Sequence, residues 1–182
     1  MTFLYLVPTG MNDPEHPLWG SWAGRYGQNT NYPGRPYFWA NQLDVWNGIT
    51  NRDNTLARWA EALQNDFRAR MDWCVKSGHA ANHPPTPKVR GALQRTAKPD
   101  ERITLDASDS TDHDGDRLKL FWEFYPEAGA YNGPLQVQTN GTGIVTFDAP
   151  KTYAVLHWIL HATDSGSPPL TRYQRVLIKV RP

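Results

Sequence analysis

The sequence predicts a mainly β chain: an immunoglobulin-like β-sandwich over residues 83–182, preceded by a loop-rich, helix-containing stretch over residues 1–82. Three observations carry that expectation. Short runs of alternating apolar residues recur through the second part, the period-2 pattern of half-buried strands. Turn pairs such as Asp114-Gly115, Asn132-Gly133, Asn140-Gly141 and Ser165-Gly166 separate those runs. Between the two parts, Lys76-Ser-Gly-His-Ala-Ala-Asn-His-Pro-Pro-Thr-Pro87 reads as a linker, because its Pro-Pro pair favours extended backbone.

Taken in order, Phe3 to Val7 is a short aromatic and β-branched run stopped by Pro8 and Gly10, which predicts a buried strand. About forty residues of little periodicity follow, a loop length that usually serves function or signals missing structure. From Asn54 the pattern turns helical: Leu56, Trp59, Leu63, Phe67, Met71 and Cys74 recur every three to four residues. Asp53 or Asn54 can cap this helix and Gly78 can end it. Its apolar face is expected to bury Leu56, Trp59, Leu63, Phe67 and Met71. One strand, one loop and one helix do not close a core, so residues 1–75 are expected to be the tail of a larger domain. In the second part, strands are expected around Ile103–Ala107, Leu118–Phe124, residues 142–148, Val155–Ala162 and Val176–Val180. Six or seven short strands in about 100 residues suit a sandwich with Trp122 in its core.

Composition excludes several classes. Nineteen basic against eighteen acidic residues leave a net charge of +1, without the basic excess of a nucleic-acid binder. No apolar run approaches the roughly 20 residues that cross a bilayer, and no secretory signal is legible at the start. A single cysteine, Cys74, excludes an intrachain disulfide and a Cys-rich zinc site. Eight tryptophans, six of them before residue 76, suggest surfaces that handle sugars or other flat ligands.

Two sets of motifs carry a family resemblance. The first is Phe3-Leu-Tyr-Leu-Val-Pro8, Asn12-Asp-Pro-Glu-His-Pro17, Trp19-Gly-Ser-Trp-Ala-Gly-Arg-Tyr26 and Gln64-Asn-Asp-Phe-Arg-Ala-Arg-Met-Asp-Trp-Cys74. The second is Leu105-Asp-Ala-Ser108, Asp112-His-Asp-Gly-Asp116, Tyr125-Pro-Glu-Ala-Gly129 and Ala162-Thr-Asp-Ser-Gly-Ser-Pro-Pro-Leu-Thr-Arg172. Together they resemble the C-terminal portion of a bacterial cellulose-binding protein family that pairs a nucleoside-hydrolase-like domain with an Ig-like domain. The resemblance implies that residues 1–82 are the end of an α/β nucleoside-hydrolase-like domain and that residues 83–182 are a PKD- or cadherin-like sandwich. It also implies a secreted or periplasmic full-length protein. The aspartate-rich motif that opens such hydrolases does not precede Phe3.

Four groups of side chains are candidates for chemistry. Asp13, Glu15 and His16 follow the first strand and can supply an acid and a proton shuttle, with Asp13 as a late calcium ligand by resemblance. The alternative is that Asp13-Pro14 and His16-Pro17 shape a turn. Trp19, Trp22, Arg25 and Tyr26 offer flat apolar faces and a guanidinium fork to a sugar, or else fasten a long loop by burial. Asp112, Asp114 and Asp116 surround Gly115, and with Asp164 they suit calcium, although an Asx turn explains the turn as well. His157 and His161 share one face of a strand, too far apart along it for one ion, which points to a solvated or interface role. Phe121 and Tyr125 face away from Trp122, as a binding face or as a surface covered by the first part. The expected function is binding of a polysaccharide or glycoside of the cellulose or plant cell-wall type, with no nucleic-acid or membrane partner. The alternative makes the chain part of a glycoside or nucleoside hydrolase whose main active site lies upstream.

Overall fold

The computed structural model describes residues 7–181 and is mainly β. All but Val7 of the expected first strand lies outside the described residues. The stretch expected as one long loop is organised into two small hairpins. In the first, β1 (Tyr26–Gln28) pairs antiparallel with β2 (Trp39–Asn41). In the second, β3 (Asp44–Trp46) pairs with β4 (Ile49–Asn51). The turn of the second is Asn47-Gly48, both residues at positive φ, the geometry that favours this dipeptide in two-residue hairpins.

The expected single helix is two pieces, α1 (Asn54–Ala57) and α2 (Ala60–Val75). Neither Asp53 nor Asn54 caps it through a side chain. Instead the Asn54 amide donates to Asn51 Oδ1, and its side chain donates to the carbonyls of Asp44 and Ile49, tying the hairpin to the helix start. The helix stops at Val75, where Lys76 turns extended, three residues before Gly78. The expected apolar face is corrected as well. Phe67 and Met71 are half or more exposed, whereas Trp59, Asp66 and Ala69 are buried. The reason is an ion pair: Asp66 Oδ1 accepts from Arg172 Nη2 at 2.8 Å, and both side chains are buried. Turning Asp66 outward would leave Arg172 buried without its partner, which is costly.

Seven strands form two sheets over residues 94–180. One runs β5 (Gln94–Ala97), β11 (Thr171–Val180), β10 (Ala154–Thr163), β7 (Lys119–Phe124); the other runs β6 (Arg102–Asp106), β9 (Ile144–Asp148), β8 (Gln138–Thr139). Only β5 pairs parallel, at the edge of the first sheet. Strands β5 and β8 are short and polar and had no alternation to betray them. The core between the sheets holds Leu105, Trp122, Phe147, Leu156, Trp158 and Leu160. Phe147 stacks on Trp158 at 4.7 Å, and the Trp122 indole donates to the Gly143 carbonyl at 2.8 Å.

Strand alternation sends the odd-numbered residues of β7, β10 and β11 to the opposite face, where residues 7–75 cover part of them and leave Lys119, Phe121 and Lys179 exposed. A second core forms there from Met11, Trp22 and Trp59 with Tyr125, Ile159 and Tyr173. Tyr173 donates its amide to the Thr9 carbonyl at 2.8 Å. Gly10, at φ +85°, lies so close that a Cβ would sit 1.9 Å from the Tyr173 carbonyl oxygen, so only glycine fits. Among the described residues, no helix is long and apolar enough to cross a membrane.

Candidate functional site

The covered face of the first sheet leaves one large opening. A cleft of about 550 Å³ lies between the α1–α2 region and the ends of β7, β10 and β11. Arg58, from the break between the two helices, and Glu123, from β7, meet at its floor. Glu123 Oε1 accepts from Arg58 Nη2, and Glu123 Oε2 lies 2.8 Å from His161 Nε2 on β10. Arg58 also bonds Asp44 Oδ2 at 3.0 Å and lies 4.1 Å over the Tyr125 ring. Asp44 in turn takes Arg25 Nε at 2.8 Å and the Tyr125 hydroxyl. His161 is boxed by rings: Tyr173 at 4.9 Å, Phe121 at 5.6 Å and Trp59 at 5.8 Å. At the mouth, Phe121 is 55% exposed and Trp46 36%, beside the polar ends of Glu61, Asn65 and Lys119.

The electrostatics of the floor are those of a fixed network. Burial would raise the Glu123 carboxyl, but the bonds and charges of His161 and Arg58 prevail and hold it below the usual range. Burial would lower Arg58, and the charges and hydrogen bonds of Glu123, with the charges of Tyr125 and Asp44, drive it above its ordinary value. Burial first and Asp44 second push the Tyr125 hydroxyl well up, so it stays a donor. A general acid for glycoside cleavage needs a raised carboxyl. Glu123 is shifted the other way, and Arg58 and His161 engage both of its oxygens.

The structure distributes the residues expected from sequence. Asp13 closes a turn: one oxygen accepts the Glu15 amide at 3.0 Å and the other meets His16 Nδ1 at 2.9 Å. The His16 ring stacks on Trp19 at 3.8 Å. These three sit apart from the cleft floor. The sugar surface expected at Trp19, Trp22, Arg25 and Tyr26 is corrected. Trp22 is 1% exposed and its indole donates to the Tyr173 hydroxyl, while Arg25 is buried against Asp44 and the Leu43 carbonyl. Trp22 is consumed in joining the two parts of the chain, and Arg25 in bonds within the first part; Trp19 and Tyr26 are partly covered.

Of the expected calcium ligands, Asp112, Asp114 and Asp116 converge, with ligand atoms within 4.8 Å of one another. Asp164 does not join them. It is corrected to a structural role, because its carboxylate accepts from Asn82, Gly166 and Leu170. His157 and His161 are both at the interface between the two parts. His157 Nδ1 lies 3.1 Å from Arg175 Nη1, and burial first, with Arg175 and His16, lowers it to about 3.

Trp46, Arg58 and Glu123 were missed. The Asn47-Gly48 signal would have placed Trp46 on a hairpin, and strand alternation from Phe121 would have put Glu123 on the same face. Arg58 had no signal, since it lies where the helix breaks.

Residues 102–180 match the family model of the C-terminal domain of the cellulose-binding protein Sde0182. That segment of the chain is similar to this domain family. Among solved structures, a nucleoside hydrolase-related protein from Saccharophagus degradans, described as associated with carbohydrate metabolism, superposes with a TM-score of 0.80 at 30% identity. The match covers 98% of this chain and 46% of that one, so the chain spans less than half the length of this relative. A PKD domain, from the KIAA 1837 protein, aligns at TM-score 0.34 and 18% identity over 53% of this chain and 89% of its own. Human CDH23 EC21-23 aligns at 0.34 and 17% over 53% of this chain and 33% of its own. These two superpose too loosely to bear on function. No curated protein matches the chain.

Proposed function

We propose that this chain binds polysaccharide of the cellulose or plant cell-wall type, and that the glycan enters the cleft of Phe121 and Trp46. The observation that carries the reading is the pairing of exposed rings with a polar floor in a chain whose residues 102–180 match the model of a cellulose-binding protein's C-terminal domain. Sugar rings offer apolar C–H faces to aromatic rings and hydroxyls to fixed donors and acceptors. Phe121 supplies the face; Lys119, Glu61 and Asn65 supply hydrogen bonds around it. An extracytoplasmic setting fits the same reading, since wall polysaccharide is met there. Calcium, if bound at Asp112, Asp114 and Asp116, is weak, because Asp112 Oδ1 accepts the amides of Asp114 and Asp116, and Ser165 donates to Asp116.

Affinity electrophoresis through gels containing soluble cellulose derivatives or xylan tests this. The parent chain should be retarded, and Phe121→Ala should weaken binding about fivefold to tenfold, the loss of a ring contact worth on the order of 1 kcal/mol. Tyr37, 79% exposed and away from the cleft, serves as the control through Tyr37→Ala. If Phe121→Ala is retarded like the parent, the cleft is not the glycan site.

A further inference from the structure

We propose a mononuclear site for a transition metal of the zinc class, built from His83, His113 and Asp114. It is separate from the cleft and independent of the glycan reading. The three residues come from two segments: His83 from the linker, and His113 with Asp114 from the turn between β6 and β7. Their ligand atoms nevertheless lie within 4.8 Å of one another. A neighbouring groove of about 540 Å³ is lined by His113, Asp114 and a third imidazole, His79.

The site is held in place before any ion arrives. The His83 amide donates to Asp114 Oδ2 at 2.6 Å, and its ring Nδ1 lies 3.0 Å from Asp114 Oδ1. Trp73 stacks on the His83 ring at 14° and 6.2 Å, and its indole donates to the Asn82 carbonyl at 2.7 Å. The Asn82 side chain donates to Asp164 and to the Pro168 carbonyl, which pins the linker to the sandwich. The His113 ring stands edge-on to His83 at 5.2 Å. Ordered ligands on a fixed scaffold are what a metal site needs.

The donor set decides the metal. Two imidazoles with one carboxylate suit zinc and its neighbours, whereas calcium takes oxygen ligands. Three protein ligands leave a fourth tetrahedral position for water. Asp114 also belongs to the all-oxygen group with Asp112 and Asp116, so the two metals compete for one carboxylate.

The test uses the full chain, stripped with chelator and titrated with zinc chloride by calorimetry, and with cobalt chloride as a spectroscopic probe. One ion per chain should bind, with the visible bands of tetrahedral cobalt. His113→Ala and His83→Gln should each lower affinity by about tenfold or more, the scale that even an outer-shell partner commands. His113 is exposed, so its loss should leave the melting curve of the stripped protein unchanged. Asp116→Asn should leave zinc binding intact while weakening any calcium binding. No zinc uptake, uptake unchanged in His113→Ala, or uptake of calcium alone overturns the proposal.

Discussion

At the scale of the residue, His157 shows how packing rewrites a side chain's chemistry. Sequence placed it on a strand face with His161, yet the two have opposite surroundings. His161 faces a carboxylate, Glu123, and His157 faces a buried guanidinium, Arg175. Burial and Arg175 keep His157 neutral down to about 3, while the unfolded chain protonates it near 6.5. Its contribution is therefore complete above pH 6.5. As pH falls below that, the unfolded state binds a proton the folded state refuses, and stability drops by about 1.4 kcal/mol per pH unit. Urea titrations should show a loss of about 2 kcal/mol from this group between pH 6.5 and pH 5. His157→Gln keeps an acceptor for Arg175 and should flatten that part of the profile; an unchanged slope would mean His157 titrates freely.

At the scale of the element, the helix was legible and its orientation was not. Periodicity located it from Asn54 to the mid-seventies, and the structure ends it at Val75. The apolar stripe through Phe67 and Met71 nevertheless points to solvent in the described chain. Asp66, which any apolar-face reading discards, is the residue held inside by Arg172. Phe67→Ser should consequently change stability by no more than about 0.5 kcal/mol. Asp66→Ala leaves Arg172 buried without its partner and should cost about 3–5 kcal/mol, read from equilibrium urea unfolding. Equal effects from the two variants would refute this orientation. The long strands were legible in part: β7 and β10 lie where expected, whereas β11 begins at Thr171, five residues before the expected Val176, and two-residue β8 carries no period at all.

At the scale of the whole molecule, the two parts differ in what they own. The core between the sheets draws only on residues from Val89 onward. The second core needs Tyr125, Ile159 and Tyr173 from the sandwich as well as Met11, Trp22 and Trp59. Residues 83–182 expressed alone should therefore give a dispersed amide spectrum, melt below the full chain, and self-associate through the uncovered sheet face. Residues 1–82 alone should stay unfolded. A collapsed spectrum for residues 83–182 would show that the sandwich depends on its cover.

What the sequence determined by itself was local and periodic: a mainly β second part, its turns, the helix, the Trp122 core position, and the convergence of Asp112, Asp114 and Asp116 within one turn. These follow from spacing along the chain, which fixes which residues share a face. Which aromatic rings are free for a ligand was decided only by the tertiary structure. Trp22 and Arg25 look like a sugar platform in sequence, but docking onto β11 and Asp44 uses them up, while Phe121 is left open. The cleft floor joins Asp44, Arg58, Glu123 and His161 across more than a hundred positions, and the proposed metal site joins His83 of the linker to Asp114, 31 positions on. Side chains that distant meet only when sheet and helix pack. Burial on that scale is set by the partner surface, and a single sequence does not carry the partner's position.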